Sequence, residues 1–247
     1  MKNNYSKIKK IILKLIPKNV LFRYEYALRY FYYLFYLGNN FQCNICYKKI
    51  SNFIALGNDR LCPRCGSLQR TRRLMQILND GFLNENTKIL DFSPSRSIYR
   101  VLKSKQNYLS SDLSGDFLFD VRYDITDIEA QKNSFDLIIC YHILEHIVDD
   151  QKAMNELFRV LKNGGFCIIQ TPFKTGEIYE DYSIKTPEER EKHFGQNDHV
   201  RIYSVSGLQK RLEDAGFKVV VKNFELDHEN LHGFSSKETV LICNKPN

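Results

Sequence analysis

Proline and glycine are scarce in this chain, six and twelve among 247 residues. With 43% hydrophobic residues, that scarcity excludes collagen-like, coiled-coil and low-complexity architectures and leaves a packed globular chain. No apolar run approaches the roughly 18 to 20 residues that a membrane span needs. Acidic residues are nearly missing from the first forty positions, where Glu25 stands alone against eight of the 36 lysines and arginines. Beyond Asn40, 28 basic residues balance 28 acidic ones, so the net charge of +7 belongs to the N-terminal segment. A secretory leader does not fit there, because Lys14 interrupts Ile11 to Ile16 and no small-residue cleavage site follows. Cytoplasmic residence is the expectation.

A disulfide framework is also missing. Seven cysteines are an odd number, and four stand as Cys43-x-x-Cys46 and Cys62-x-x-Cys65 with fifteen residues between the pairs. Two such turns, set face to face by a hairpin, present four thiolates to tetrahedral Zn²⁺, with iron as the other soft-metal occupant. Gly66 lets the backbone fold under the ion. With every position filled by sulfur, the ion is structural. Cys140, Cys167 and Cys243 sit singly in apolar runs and read as small buried hydrophobes. Arg64, Arg70, Arg72 and Arg73 read as a solvated helix face, with phosphate contact as the alternative.

Ile8, Ile11, Ile12, Leu15 and Ile16 form one stripe opposed by lysines, a short basic helix ended by Pro17. Val20 to Leu37, crowded with Tyr and Phe, predicts a second helix that stops at Gly38-Asn39-Asn40. Ser67 caps a helix running to about Asn79. From Thr87, strands alternate with helices, the pattern of an α/β fold with a parallel sheet. Strands are expected at 88–91, 108–111, 119–123, 135–141, 165–171, 219–226 and 239–243, and helices at 97–103, 126–130, 150–161 and 206–215. The stretch 172–203 has too little periodicity for one regular element and reads as a lid. The expected organisation is a helical extension over 1–40, a zinc ribbon over 41–66 and a linking helix over 67–86. A doubly wound, mainly parallel seven-stranded Rossmann-like domain over 87–247 follows, with the lid inserted at 172–203.

In a doubly wound sheet the ligand sits beyond the carboxyl ends of the strands, where strand order reverses. Asp91, Asp112 and Asp124 end the first three strands, and Asp112 lies twenty-one residues past Asp91, a spacing suited to ribose hydroxyls. Three acids at successive strand ends outweigh their reading as helix N-caps. A nicotinamide site needs G-x-G-x-x-G after the first strand, and that pattern is absent.

The runs F-D-L-I-I-C-Y-H-I-L-E-H at 135–146 and E-L-F-R-V-L-K-N-G-G at 156–165, with those acids, resemble class I S-adenosylmethionine-dependent methyltransferases. The type 11 methyltransferase domain is the nearest form, over about Thr87 to Asn244. C-P-R-C-G-S-L-Q-R at 62–70 and H-F-G-Q-N-D-H-V-R-I-Y at 193–203 look like a narrower bacterial subgroup that carries a zinc ribbon before that domain. The resemblance implies S-adenosylmethionine as cofactor, with Asp91, Phe92, Ser93 and Ser95 near its methionine part and Asp112 with Leu113 at its ribose. It also implies Asp124 at the adenine amino group, Ile125 against the ring, and Tyr141 and His142 on the methyl-donor side. The family expects D-x-G-x-G after the first strand, and here serines 93 and 95 hold the glycine positions. Either their hydroxyls replace the close backbone approach that glycine permits, or cofactor binding is weakened or lost.

Methyl transfer from a sulfonium is an in-line displacement, so the protein positions the partners and removes a proton from a hydroxyl acceptor. His142, Glu145 and His146 occupy i, i+3 and i+4 at the mouth of the cleft as base candidates, or as a cap that orients the next helix. The small-RNA ribose methyltransferases use a similar Glu/His turn to bind Mg²⁺, but there Glu stands where this chain has His142. From the lid, His193, Asp198, His199 and Arg201 supply further polar groups, His199 being the base candidate, with Asp181 and Tyr182 nearby. The expected function is methyl transfer to a hydroxyl of a saccharide or lipid-linked glycan, because relatives of the subgroup accompany surface-polysaccharide enzymes. The competing reading is a non-catalytic protein whose ribbon and Arg64–Arg73 grip nucleic acid over a dead cofactor site. Residues 1–37 are expected to attach the enzyme to the inner, anionic membrane face, or else to pack on the catalytic domain or form a dimer contact.

Overall fold

The computed structural model describes residues 18–115, 118–226 and 229–247. The lysine-rich helix expected before Pro17 lies outside them. In chain order the elements are α1 (Lys18–Leu34), β1 (Phe41–Gln42), β2 (Lys49–Ile50), β3 (Ile54–Leu56), β4 (Asp59–Leu61), α2 (Gln69–Ile77), β5 (Ile89–Phe92), α3 (Arg96–Leu102), β6 (Tyr108–Ser111) and β7 (Phe135–Tyr141). They continue with α4 (Asp150–Val160), β8 (Leu161–Gln170), β9 (Phe173–Lys174), β10 (Tyr179–Glu180), α5 (Pro187–Phe194), β11 (Arg201–Ser204), α6 (Val205–Asp214), β12 (Lys218–Glu225) and β13 (Lys237–Asn244). The described residues form two compact units, the first from those within 18–81, 96–101 and 225–237, the second from those within 82–95, 102–224 and 238–247.

In the first unit, the antiparallel pairs β1–β2 and β3–β4 are short hairpins that bring the two C-x-x-C turns together. Tyr47 and Gly66 turn the backbone with φ of 57° and 77°. Ser67 does not cap α2; Leu68 stands at the cap, and the Ser67 hydroxyl faces sulfur instead. The arginines correct the expectation of a solvated face. Arg72 is fully buried and donates to the carbonyls of Ser67 (2.8 Å), Arg60 (3.0 Å), His232 (2.6 Å) and Gly233 (2.6 Å). Arg73 lies 3.9 Å from the Phe234 ring, and Arg64 lies 3.5 Å from the Tyr26 ring while donating to the Tyr26 carbonyl. These cations are occupied with carbonyls and rings, which also removes them from any phosphate. Gln42 closes the same stitch by donating to the Leu231 carbonyl. On α1, Glu25 pairs with Arg29, Arg96 and Arg100, while Phe31 (66% exposed) and, just past the helix end, Phe35 (84%) project outward.

The second unit is built on a six-stranded sheet of order β12-β13-β8-β7-β5-β6. β5 pairs in parallel with β6 on one side and β7 on the other, β7 pairs in parallel with β8, and β13 runs antiparallel to β8. All four residues of β5 are buried, as a parallel strand covered on both faces requires. Leu90, Ile138, Leu157, Ile169 and Leu241 belong to one apolar cluster with Cys140, Cys167 and Cys243.

Six strands replace the seven expected. Residues 119–123 run beside β6 but make only a bridge between Ser111 and Val121. Backbone bonds are confined to that spot, the Asp120 and Val121 amides donating to the Ser110 carbonyl and the Asp112 amide to the Val121 carbonyl; the Asp120 carboxylate takes both the amide and the hydroxyl of Ser110, and the Ser111 hydroxyl accepts from the Tyr123 amide, so the ladder goes no further. The helix expected at 126–130 is also absent: Asp124 closes a turn onto Thr126, and Arg159 on α4 claims the carbonyls of Ile128 and Ala130. The lid is more regular than its sequence suggests. It holds the small sheet β10-β11-β9 and α5, whose start is fixed by the Thr186–Glu189 capping box and whose end is Gly195 at φ 84°.

Candidate active site

Two sets of residues converge independently, one in each unit. In the first, Cys43 and Cys65 sulfurs lie 3.6 Å apart and Cys46 and Cys62 sulfurs 3.8 Å apart, with all four sulfurs within 4.8 Å of one another. Thiolates about 2.3 Å from a common tetrahedral ion sit roughly 3.8 Å apart, so the cluster fits zinc as it stands. None of the four is in a disulfide. Cys65 Sγ donates to Ser67 Oγ at 3.2 Å, and that hydroxyl lies 3.5 Å from Cys43 Sγ. Four adjacent thiols cannot ionise together unaided: hydrogen bonds from Cys46 and the others pull the Cys43 thiol down, while those with Cys43 push Cys46 and Cys65 up. A divalent ion removes that conflict.

In the second unit, strand order reverses between β5 and β7, so their carboxyl ends and that of β6 frame the cleft. Asp91 is 2% exposed and accepts from the Tyr108 hydroxyl at 2.9 Å. Burial pushes its carboxyl up to about 8 against that hydrogen bond. An unfolded Asp titrates near 3.9, so folding stability should fall as pH rises from there towards about 8 and level off above. Asp91→Asn should remove this slope: across a pH series the variant's thermal midpoint should gain on the wild type's up to about pH 8. A gap that does not change with pH would contradict the buried proton.

Asp112 is 3% exposed and accepts from Ser93 Oγ at 2.8 Å and Ser114 Oγ at 2.9 Å. Ser93, at the first missing glycine, nevertheless adopts the left-handed conformation, with φ of 46°. That costs a serine about 1 kcal/mol or more, offset here by the bond to Asp112 and by the Ser93 amide donating to the Ser111 carbonyl at 2.7 Å. The loop therefore keeps a glycine-like path, and the Ser93 hydroxyl braces Asp112 from within the protein. Phe92 and Ile125 are both 4% exposed and pack in the apolar core, a different placement from the ligand-facing one expected. Leu113 is 57% exposed, and exposed Asp124 spends Oδ1 on the Thr126 amide and hydroxyl.

Beyond β7 and β8, buried polar atoms lack a hydrogen-bond partner: His142 Nε2, both oxygens of Glu145, Gln170 Oε1 and Thr171 Oγ1. His142 follows Tyr141 with φ of 56° and donates its amide to the Gln170 carbonyl at 2.8 Å. Native interiors rarely leave such groups unanswered, so the mouth has the chemistry to hold a polar ligand. The carboxylate of Asp112 and these unanswered atoms fit a nucleoside cofactor on one side and a polar acceptor on the other.

The lid brings His199 to the same place. Val200 donates its amide to the Glu145 carbonyl at 2.9 Å. Arg201, fully buried, donates to the carbonyls of Leu144, Ile147 and Val148 and to Glu180. Asp150 and Glu180 both pair with Arg211, and the Tyr203 hydroxyl donates to Asp150. Locked by this network, the His146 and His199 rings meet edge to face at 4.7 Å. Burial and then the His146 charge hold the His199 imidazole below its ordinary value. Burial would raise the Glu145 carboxyl, but His142 and more weakly His146 bring it below the usual range. Asp198 Oδ2 stands 3.3 Å from His146 Nδ1. His193 instead bonds Tyr179, Asp181 bonds Ser183, and Tyr182 is exposed. Gln170 and Thr171 escaped the sequence reading, although they follow an apolar strand as Asp91 and Tyr141 do.

A doubly wound sheet with acids at its carboxyl edge defines a nucleoside-cofactor-binding α/β protein. The family described as "Methyltransferase domain" matches residues 68–222, and the chain belongs to it. An uncharacterized protein of Methanocaldococcus jannaschii is 38% identical over 65 residues, covering 25% of this chain and 28% of that protein. A ubiquinone biosynthesis O-methyltransferase of Psychrobacter arcticus is 25% identical over 107 residues, covering 39% of this chain and 40% of the relative. The chain thus spans less than half the length of these curated relatives. The crystal structure of a SAM-dependent methyltransferase from Archaeoglobus fulgidus superposes with a TM-score of 0.51 at 16% identity, over 70% or more of both chains (71% and 93%). That likeness concerns the fold alone.

Proposed function

We propose that this protein transfers a methyl group from S-adenosylmethionine to a hydroxyl of a saccharide or lipid-linked glycan. The observation that carries the reading is the pairing of a braced carboxylate, Asp112, at the end of β6 with unanswered polar atoms at the ends of β7 and β8. The name of the Psychrobacter relative, an O-methyltransferase, supports oxygen as the acceptor. When bound, the cofactor supplies an electrophilic methyl on a sulfonium. Asp112 holds the ribose hydroxyls, Leu113 and Asp124 border the adenine, and Asp91 with Ser93 and Ser95 supports the methionine end. Tyr141 and His142 border the methyl-donor side. Glu145, His146 and His199 face the acceptor, and the lid at 172–203 closes over it. An imidazole of this group would take the proton of the acceptor hydroxyl during the transfer. Positioning does most of the work in such a displacement.

Incubation with methyl-labelled cofactor and a fractionated cell-envelope extract tests this: label should enter a saccharide-bearing fraction. Asp112→Ala should weaken cofactor affinity by about 1.5 to 3 kcal/mol, the scale of hydrogen bonds to a charged group. Labelling confined to nucleic acid would overturn the acceptor class, and unaltered affinity in Asp112→Ala would overturn its role.

Peripheral attachment to an anionic membrane face belongs to the same proposal. Leu28, Phe31 and Leu34 on α1 and Phe35 just after it are exposed, downstream of a lysine-rich segment, as an interfacial helix requires. Each basic residue near such a surface contributes about 1 kcal/mol, so pelleting with anionic liposomes should be strong at low salt and reversed at high salt. A chain starting at Asn40 should not pellet. Equal pelleting of both chains would contradict this.

A further inference from the structure

Glu145 is the deepest unanswered charge in the second unit: it is 1% exposed and neither carboxylate oxygen has a hydrogen-bond partner. His142 Nδ1 lies 3.2 Å from Oε1, which leaves Oε2 without even that contact. One ligand atom each from Glu145, His146 and His199 lies within 4.8 Å of the others. Asp198 faces His146 Nδ1 at 3.3 Å. Such a partner fixes the tautomer and aims the other nitrogen, which is how metal-binding histidines are held.

We propose that Glu145, His146 and His199 bind one divalent ion of the manganese-to-zinc series. Two neutral imidazoles and one carboxylate suit these ions, whereas Mg²⁺ prefers oxygen ligands and keeps its waters. An ion with ligands at about 2.1 Å draws its donor atoms to roughly 3 Å, a small closure that side-chain rotation supplies. The backbone around the site is fixed by the Val200–Glu145 bond and the buried Arg201. Three protein donors leave positions for an acceptor hydroxyl, whose proton the ion makes easier to lose to solvent water. This consequence rests on the methyl-transfer reading and alters one part of it: the ion, rather than an imidazole, activates the hydroxyl. Binding of the ion itself does not depend on that reading.

The test is a calorimetric titration of Co²⁺ into full-length protein carrying one zinc per chain, held by the four thiolates, with S-adenosylhomocysteine binding measured on the same samples. Zinc binds a given site more tightly than cobalt, so the ribbon stays filled. Wild type should take up one equivalent of Co²⁺. Glu145→Gln and His199→Ala should lower its affinity at least about 100-fold, as loss of a direct ligand requires. Because those residues are buried, Asp198→Asn is the companion variant. Its side chain is 61% exposed, and its loss should weaken Co²⁺ about 10-fold without altering the circular dichroism spectrum. His193→Ala should bind as wild type does. No uptake by wild type, or equal uptake in His199→Ala and Asp198→Asn, would overturn the site, and displacement of Co²⁺ by equimolar Mg²⁺ would overturn the choice of ion. Samples that bind S-adenosylhomocysteine but not Co²⁺ would sink the ion alone; samples with the opposite behaviour would sink the methyl-transfer reading and leave the ion.

Discussion

Cys62→Ser should strip the ribbon's zinc from the protein, lowering the zinc content by about one ion per chain, while the second unit stays folded. The expectation follows from how little else holds the ribbon. Its four strands are two or three residues long, and hairpins of that size bury too little apolar surface to be stable alone. Metal binding of about 10 to 16 kcal/mol is the folding free energy such a module lacks. Cys62 is fully buried, its sulfur lies 3.8 Å from that of Cys46, and its carbonyl accepts from the Gly66 amide. Removing its sulfur opens the tetrahedron and the turn together. The second unit has its own apolar core and should keep its circular dichroism and its cofactor affinity. Elemental analysis of purified wild type and variant decides this and separates zinc from iron. Equal metal in both would end the assignment.

The other large effect is expected at His199. Its replacement by alanine should lower methyl transfer by about 10² to 10⁴, the range for a positioned group that handles the acceptor proton. Cofactor affinity should change little. The asymmetry follows from placement: His199 comes from the lid and meets Glu145 and His146, while Asp112 stands at the end of β6. Because His199 is 4% exposed, Arg201→Lys is a useful companion. Lysine keeps the charge but loses the fork that spans three carbonyls and Glu180, so this positioning residue should lower kcat more than it raises KM for the cofactor. Full turnover in His199→Ala would make that histidine a packing residue.

The strand ends were legible because the apolar runs Ile89-Leu90 of β5 and Leu137 to Cys140 of β7 lead to Asp91 and Tyr141, and a parallel sheet imposes that pattern. The knuckle was legible because metal geometry constrains spacing along the chain. What failed did so through partners distant in sequence. Phe119 to Tyr123 alternates like a strand, yet Asp120 spends its carboxylate on Ser110 and ends the ladder. Arg72 sits in a basic run that resembles a wet helix face, and its decisive acceptors, the carbonyls of His232 and Gly233, lie some 160 residues away (|i−j| of 160 and 161). Likewise, no local period brings His199 to Glu145; Arg201 does so by reaching the carbonyls around that turn. Serine at position 93 looked like a loss of the glycine-rich loop, but its φ of 46° keeps the turn while its hydroxyl braces Asp112.

Calorimetric titration of the full-length protein with S-adenosylhomocysteine tests the central claim most directly, because it needs no knowledge of the acceptor. Binding of one equivalent, weakened in Asp112→Ala and retained in His199→Ala, is the result predicted. Absence of heat and of any saturable binding at ligand concentrations of about 1 mM, where even an affinity near −4 kcal/mol would register, would contradict it and favour a non-catalytic protein built on the same fold.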